Sequence, residues 1–491
     1  MTSTRADQTA LFAQRFPQPA RAERDAALEQ STHGLARQYP DLVSNRTFVR
    51  WQVITLVAVP ATVVVGGLVD LRVAAACVVS AIVAVYLLIM VVRLQVFARG
   101  LQASERRGPP VPSSIPEAAL PFYTVLMPAY DEPEVITALL RATGAIDYPK
   151  DRLEVLLLLE EDDERTLSVL LDVDLPPEVR VLLVPASEPR TKPKACNYGL
   201  AFARGEFVTI YDAEDRPEAM QLRQAVEAFH HGGDQMACTQ ARLDYFNPTQ
   251  NLLTRWFTVE YTTWFGVFLR GLSALQLPIP LGGTSNHMRT ALLREAGGWD
   301  AFNVTEDADL GLRLARLGYQ TGVLDSVTYE EANSDYINWV RQRSRWYKGY
   351  LQTWLVHFRR PSEAVKVFGL RGALNITLLI GATPILAVLN LCTWLCTAMF
   401  VIGVPASFQT IFPLPVIYAG TACALLGNAT VIYVSVLAMA EYDDGRFAWA
   451  ALTYPLYWLL MAIAATKACV QLITKPSYWE KTAHGLTGET T

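Results

Sequence analysis

The sequence predicts a water-soluble α/β domain with a mostly parallel sheet, joined to an α-helical transmembrane domain. Three observations predict it. Trp51 to Val69, Val73 to Val92, Gly372 to Ala440 and Phe447 to Thr466 contain no Asp, Glu, Lys or Arg. Each reaches the roughly 20 residues that cross a bilayer, and the longest has room for a pair of spans and a loop. Between them, short apolar runs alternate with helix-prone stretches, as in a parallel sheet covered by helices on both faces. The unusual polar residues gather where those runs end, which is the edge at which such sheets bind ligands.

Composition narrows the classes. Of 491 residues, 51% are hydrophobic and 18% charged, few charges for a soluble protein. A net charge of −5 without any basic block argues against a nucleic-acid partner. Cys77, Cys392, Cys396 and Cys423 lie inside the apolar runs, with Cys469 at the end of the last. None has metal-site spacing, and they read as inert buried thiols.

In chain order, residues 1–50 form a polar region with a short helix expected around Ala20 to Gln30 and no early apolar core of a signal peptide. Residues 51–92 form a helix hairpin turning at Asp70-Leu71-Arg72. Arg46 and Arg50 precede it, and Arg93, Arg99, Arg106 and Arg107 follow it. By the positive-inside rule both flanks are cytoplasmic, which predicts a multi-pass protein of the inner or plasma membrane with its soluble domain in the cytoplasm. Residues 93–120 include a Pro- and Ser-rich linker. The soluble domain spans 121–360, with strands expected at Tyr123 to Met127, Leu153 to Leu159, Val179 to Val184 and Phe207 to Ile210. Trp264 to Pro280 reads as a helix lying on the membrane surface or packed under the spans. Residues 372–474 supply about three further spans, and 475–491 a tail.

The polar residues at the strand ends carry chemistry. Asp212 and Glu214, in Tyr211-Asp-Ala-Glu-Asp215, converge after the fourth strand. Hard oxygen ligands there suit Mg²⁺ or Mn²⁺ holding a diphosphate; a solvated acidic turn is the plain alternative. Lys192 and Lys194 could offset phosphate charge. Leu281-Gly-Gly-Thr-Ser-Asn-His287 permits close backbone approach, with His287 a candidate contact for a sugar hydroxyl, although a lone His is more often structural. In Asn303-Val-Thr-Glu-Asp307, Thr305 looks like an N-cap, and Asp307 is either part of a good helix start or a general base. From Tyr336 to Leu355 apolar residues recur at helical spacing. Gln342, Arg345 and Trp346 share one face there, offering an amide, a cationic fork and a flat ring, a set suited to a phosphate-bearing group beside a sugar.

Together these motifs resemble the processive family 2 glycosyltransferases, the membrane-embedded synthases that include bacterial cellulose, hyaluronan and chitin synthases. The acidic strand end at Glu161/Asp163, Asp212-Ala-Glu214, Thr305-Glu-Asp307 and Gln342-Arg-Ser-Arg-Trp346 stand in the family's order, over roughly Pro121 to Gly349. Gly282 to His287 and Lys475 to Gly485 resemble a bacterial exopolysaccharide branch more than cellulose synthase proper.

The resemblance implies a GT-A-type, Rossmann-like fold and a hexosyltransferase of inverting, single-displacement mechanism. It implies a nucleotide-sugar donor, by default a UDP-sugar such as UDP-glucose, and Mg²⁺ or Mn²⁺ as cofactor. Tyr130 and Glu132 would border the uridine, and one of Glu161 and Asp163 would contact the uracil or ribose. Asp212 would meet the metal-bound diphosphate, with Lys194 as compensating charge. Where the family has a second Asp this sequence has Glu214, so either Glu214 or Asp215 is the further ligand. Asp307 would be the base, Gln342 and Arg345 would hold the diphosphate, and Trp346, with Glu306 and His287, would meet the acceptor. The product expected is a growing polysaccharide passed through the spans; the alternative is a single transfer to a lipid-linked acceptor such as a polyprenyl phosphate.

Overall fold

The computed structural model describes residues 12, 14–105, 115–133, 136–402, 411–412, 414–443, 445–476 and 478–480. Residues 106–114 of the expected linker, with Arg106 and Arg107, and the tail beyond Glu480 with Lys481 and His484, lie outside the described residues.

The four strands expected from the sequence are present as β1 (Tyr123–Ala129), β2 (Leu153–Glu160), β3 (Val179–Val184) and β4 (Phe207–Ile210). β1 and β2 are buried along almost their whole length, which is why they read as continuous apolar runs. Alternate residues feed opposite faces. Val125, Val155 and Leu157 join one core with Phe229, while Leu126, Leu156 and Leu158 join another with Trp299 and Leu310. The sheet continues through β5 (Arg216–Pro217), β6 (Met236–Tyr245), β7 (Asn286–Arg289) and β8 (Gln320–Glu330), giving eight strands in the order β3-β2-β1-β4-β7-β6-β8-β5. β7 runs antiparallel to β4 and β6, and β5 antiparallel to β8, while the remaining pairs are parallel. The sheet is thus mostly parallel, as expected, but mixed through its second half.

Five helices among the described residues are long and apolar enough to cross a membrane: Arg50–Val69, Leu71–Glu105, Pro361–Cys396, Leu414–Tyr442 and Tyr454–Thr474. The hairpin turn is tighter than the expected Asp70-Leu71-Arg72. Asp70 alone breaks the helix, and its Oδ1 accepts from the backbone N–H groups of Arg72 and Val73 at 2.9 and 3.1 Å, capping the second helix as it starts. The third span starts at Pro361 rather than near residue 372, with a kink at Gly369.

Two helical stretches differ from expectation. The N-terminal helix runs Arg21–Gln38 and is docked: Asn197 Nδ2 donates to the Ser31 carbonyl at 3.1 Å, and Arg24 pairs with Glu161 at 3.1 Å. The helix expected from Trp264 begins at Leu252, continues through a π turn at Thr262–Phe268 and ends at Ala274. Val267, Leu269 and Leu272 are buried, so this helix is packed beneath the spans instead of lying on a surface. It crosses Leu71–Glu105 where glycines face each backbone. A Cβ on Gly271 would sit 1.9 Å from the Val96 carbonyl oxygen, and one on Gly100 would sit 2.1 Å from that of Val267. Close backbone approach through small residues is how membrane helices gain packing energy.

This crossing fixes the sheet domain to the long apolar helices. Gly271→Leu is expected to cost at least ~1–3 kcal/mol through overpacking, read as a lowered melting temperature in detergent; an unchanged melt would mean the crossing is not tight.

Candidate active site

The turn after β4 folds its acids apart. Asp215 is buried, its Oδ2 accepting from the Asp212 backbone N–H at 2.8 Å and from the Thr284 hydroxyl. It supports the turn from beneath, while Asp212 and Glu214 line a cavity of about 680 Å³. Glu330, at the end of β8, lines the same cavity. Burial first, then the neighbouring Asp215, Asp212 and Glu214, hold the Glu330 carboxyl well above the usual range. Lys192 pairs with Asp212 and donates to the Gly283 carbonyl at 2.9 Å. Burial alone would lower its pKa, but the Asp212 carboxylate outweighs that and raises it.

Across the cavity, Glu306 and Asp307 open the helix Glu306–Arg316. Thr305 is the N-cap residue, but its hydroxyl makes no capping bond. The Asp307 Oδ1 accepts from the Ala308 N–H at 2.7 Å. Burial pushes Asp307 up to about 6, and burial together with Asp307 pushes Glu306 up to about 8. The helix Tyr336–His357, capped by Asp335 at 2.7 Å from the Asn338 N–H, brings Gln342, Arg345 and Trp346 to the same cavity. Gln342 Oε1 and Arg345 Nε are buried with no hydrogen-bond partner. Burial lowers the Arg345 pKa, opposed by Glu306, Asp307 and Asp212, which line the same cavity.

A fully buried ion cluster locks these helices together. Asp309 Oδ2 accepts from Arg313 at 2.9 Å and its Oδ1 faces His357 Nε2 at 3.1 Å. Arg313 also donates to the Ala296 and Gly298 carbonyls at 2.5 and 2.7 Å. Burial would raise the Asp309 carboxyl, but Arg313 and His357 prevail and hold it below its ordinary value.

Residues 121–349 match the family model described as Glycosyltransferase like family 2. The domain is a family 2 glycosyltransferase. Its sheet is GT-A-like, and it is 29% identical over 234 residues to the probable glycosyltransferase YdaM of Bacillus subtilis, a match covering 47% of this chain and 55% of that protein. A probable glucomannan 4-beta-mannosyltransferase of Oryza sativa is 27% identical over 46% of this chain and 40% of its own length. The chain therefore spans about half the length of such curated relatives. A beta-monoglucosyldiacylglycerol synthase of Synechocystis is 25% identical over 407 residues, which is 80% of this chain and 81% of that protein. A solved mannosyltransferase of Pyrobaculum calidifontis, in complex with GDP-Man and Mn²⁺, aligns at TM-score 0.46 and 17% identity over 79% of this chain and 98% of its own.

In the glycosyltransferase domain, Tyr130, Glu132, Asp212, Glu214, Glu306, Asp307, Gln342, Arg345 and Trp346 all line the one cavity. Four expected residues are placed elsewhere. Lys194 is buried in an ion pair with Glu160 at 2.9 Å, and the cavity lysine is Lys192. Glu161 faces Arg24 at the N-terminal helix. Asp163 is the N-cap of Glu164–Leu170, accepting from the Thr166 N–H at 3.1 Å and from the Asp131 N–H at 2.6 Å. His287 lies inside the sheet between the Tyr123 hydroxyl at 2.7 Å and Gln221 at 3.2 Å, and burial pushes its pKa down to about 3. Glu160 and Arg190 line the cavity where Glu161 and Asp163 had been expected. Of the two lysines that the sequence offers for phosphate charge, Lys192 is the one at the cavity. Glu330 carried no signal, because β8 was not recognised as a strand.

Among the described residues no three carboxylate, imidazole or thiolate groups form a closed metal cage. Asp212 and Glu214, crowded by Glu330 and Asp215, still fit a divalent cation. Burial first, then mutual repulsion, raises the buried members of the set, and a hard dication would relieve the repulsion while taking its remaining ligands from phosphate oxygens and water.

Asp309→Asn is expected to cost ~3–5 kcal/mol by leaving Arg313 without its countercharge, read as a large drop in melting temperature. Lys192→Met is expected to fold normally and weaken nucleotide binding at least ~10-fold, while Lys194→Met lowers stability; the reverse pattern in paired melting and binding assays would contradict the placement of the two lysines.

Proposed function

We propose that the protein is a membrane-embedded inverting glycosyltransferase that passes a sugar from a nucleotide donor, by default UDP-linked, to the hydroxyl of a lipid acceptor. The observation that carries this reading is the continuity of the cavity. It holds Asp212, Asp307 and Arg345 at one end, and at the other is lined by Ile89, Leu386, Asn428 and Met461 of the membrane helices. An acceptor can thus approach Asp307 from the bilayer. The relative named as a monoglucosyldiacylglycerol synthase, which matches through both the soluble and membrane parts, favours the same acceptor class.

In this reading Asp307 takes the proton of the acceptor hydroxyl, whose oxygen attacks the anomeric carbon as the bond to the diphosphate breaks. Arg345, Gln342 and Lys192 hold the departing diphosphate, where negative charge grows. Mg²⁺ or Mn²⁺, held by Asp212 and Glu214, would supply further positive charge there. Tyr130, Glu132 and Arg190 border the nucleoside end. The glycosyltransferase domain faces the cytoplasm, where nucleotide sugars are made.

Polysaccharide synthesis with translocation, the outcome the sequence favours, keeps one supporting feature. Asn428 donates to Asn390 at 3.1 Å between spans, beside the cavity, and intramembrane amides of this kind mark polar pathways. Products made by the full-length protein in lipid vesicles from single nucleotide sugars separate the two: a chloroform-soluble glycolipid supports the lipid acceptor, and a long water-soluble chain contradicts it.

Asp307→Asn is expected to lower transfer by ~10²–10⁴-fold while nucleotide binding holds; near-normal turnover would remove Asp307 from the base role. Because the base must be ionised and Asp307 titrates at about 6, kcat/KM should rise as pH climbs through that value and then level. A rate that falls over the same range would contradict it.

A further inference from the structure

At the junction between the glycosyltransferase domain and the spans, the cavity wall carries a second charged region. Arg93 follows the charge-free run that ends at Val92 and lines the cavity together with Thr383. Its guanidinium donates to Thr383 Oγ1 at 3.1 Å. The carboxylate on that wall, Glu260, is already taken. Arg343 grips it through both nitrogens at 2.7 and 2.6 Å, and the Tyr457 hydroxyl donates to it at 2.6 Å. Among the described residues, no carboxylate lies within ion-pair distance of Arg93. One positive charge therefore stands unbalanced where the cavity enters the membrane.

A cation set away from bulk water without a countercharge is costly. A guanidinium fork matches the oxygens of a phosphate. The neighbouring wall is apolar, through Ile89, Met90 and Leu386. The donor end, rich in carboxylates, repels a second anion, whereas this junction attracts one. We infer that Arg93, positioned by the Thr383 hydroxyl (which itself donates to the Leu379 carbonyl at 2.7 Å), holds the phosphate headgroup of an anionic lipid whose chain lies along Ile89, Met90 and Leu386. The inference rests on the reading that the membrane arm admits lipid.

The test uses full-length protein in neutral detergent, titrated with dodecyl phosphate, with dodecanol and inorganic phosphate as parallel arms, while tryptophan fluorescence follows the melt. Dodecyl phosphate is expected to stabilise the wild type at a concentration about tenfold lower than it needs for Arg93→Gln, with Arg93→Lys, which keeps the charge but loses the fork, falling between the two. Dodecanol and inorganic phosphate should have little effect. Equal responses of wild type and Arg93→Gln would overturn the site, as would dodecanol acting as well as dodecyl phosphate. Stabilisation by inorganic phosphate alone would overturn the lipid assignment in favour of a free anion. Should Arg93→Gln not fold, a photoactivatable dodecyl phosphate on the wild type gives the answer. Labelling of Leu71–Glu105 or of the 382–401 helix supports the site, and labelling confined to other segments refutes it. Binding of UDP with Mn²⁺, measured on the same wild-type preparation, reports separately on the glycosyl-transfer reading.

Discussion

The site depends on one buried carboxylate. Asp309 is wholly excluded from solvent, yet it stays charged because Arg313 and His357 close on it from two directions. Arg313 lies about two turns along the helix that begins with Glu306 and Asp307, and His357 ends the helix that carries Gln342, Arg345 and Trp346. The cluster therefore sets the spacing between the candidate base and the candidate diphosphate holder. Gly349 completes the fit: a Cβ there would lie 2.4 Å from the Thr305 side chain. The helices can approach to this distance only because that position has no side chain. Burying such a pair is expensive in isolation, and here the cost fixes a geometry that hydrophobic contact alone would leave loose.

Charge then divides the cavity along its length. At the end near β4, Asp212, Glu214, Glu306, Asp307 and Glu330 face Lys192 and Arg345. That imbalance favours a cation together with a phosphate-bearing ligand, since either alone leaves charge uncompensated. Toward the membrane, the Glu260–Arg343 pair is internally neutral and Arg93 is left over. Aromatic rings hold the boundary. Arg343 lies 4.7 Å from the Trp346 ring centroid and 5.1 Å from that of Trp339, so Trp346 is held from behind as it faces the cavity. After the helix ending at Thr474, Trp479 reaches back to lie 4.5 Å from the Arg345 guanidinium and lines the same cavity.

What could be read from the sequence follows burial. β1 to β4 are buried on both faces, so they appear as apolar runs between breakers, and the five candidate spans appear as long runs almost free of charge. β6 and β8 were not legible. Gln240 and Thr239 are buried in β6, and Gln240 Nε2 donates to the Thr284 carbonyl at 2.9 Å; internal hydrogen bonds let polar residues fill a strand. The same limit applies to the site. Asp212, Glu214, Asp307, Gln342, Arg345 and Trp346 share one cavity because each follows a strand or opens a helix face, positions that sequence patterns mark. Lys194 and His287 have the right chemistry but point into the core, where Glu160, Tyr123 and Gln221 satisfy them. Side-chain direction there is decided by packing partners distant in sequence, and no local spacing encodes it.

The central claim is that one cavity joins a nucleotide diphosphate site to an acceptor route inside the membrane. Its most direct test is an experimental structure of the full-length protein in lipid nanodiscs with UDP and Mn²⁺. The account predicts the diphosphate between Arg345 and Gln342 on one side and Lys192 and the Asp212–Glu214 turn on the other, with Asp307 facing the membrane arm. A diphosphate bound away from Arg345, or membrane helices that seal the arm from Asp307, would contradict it.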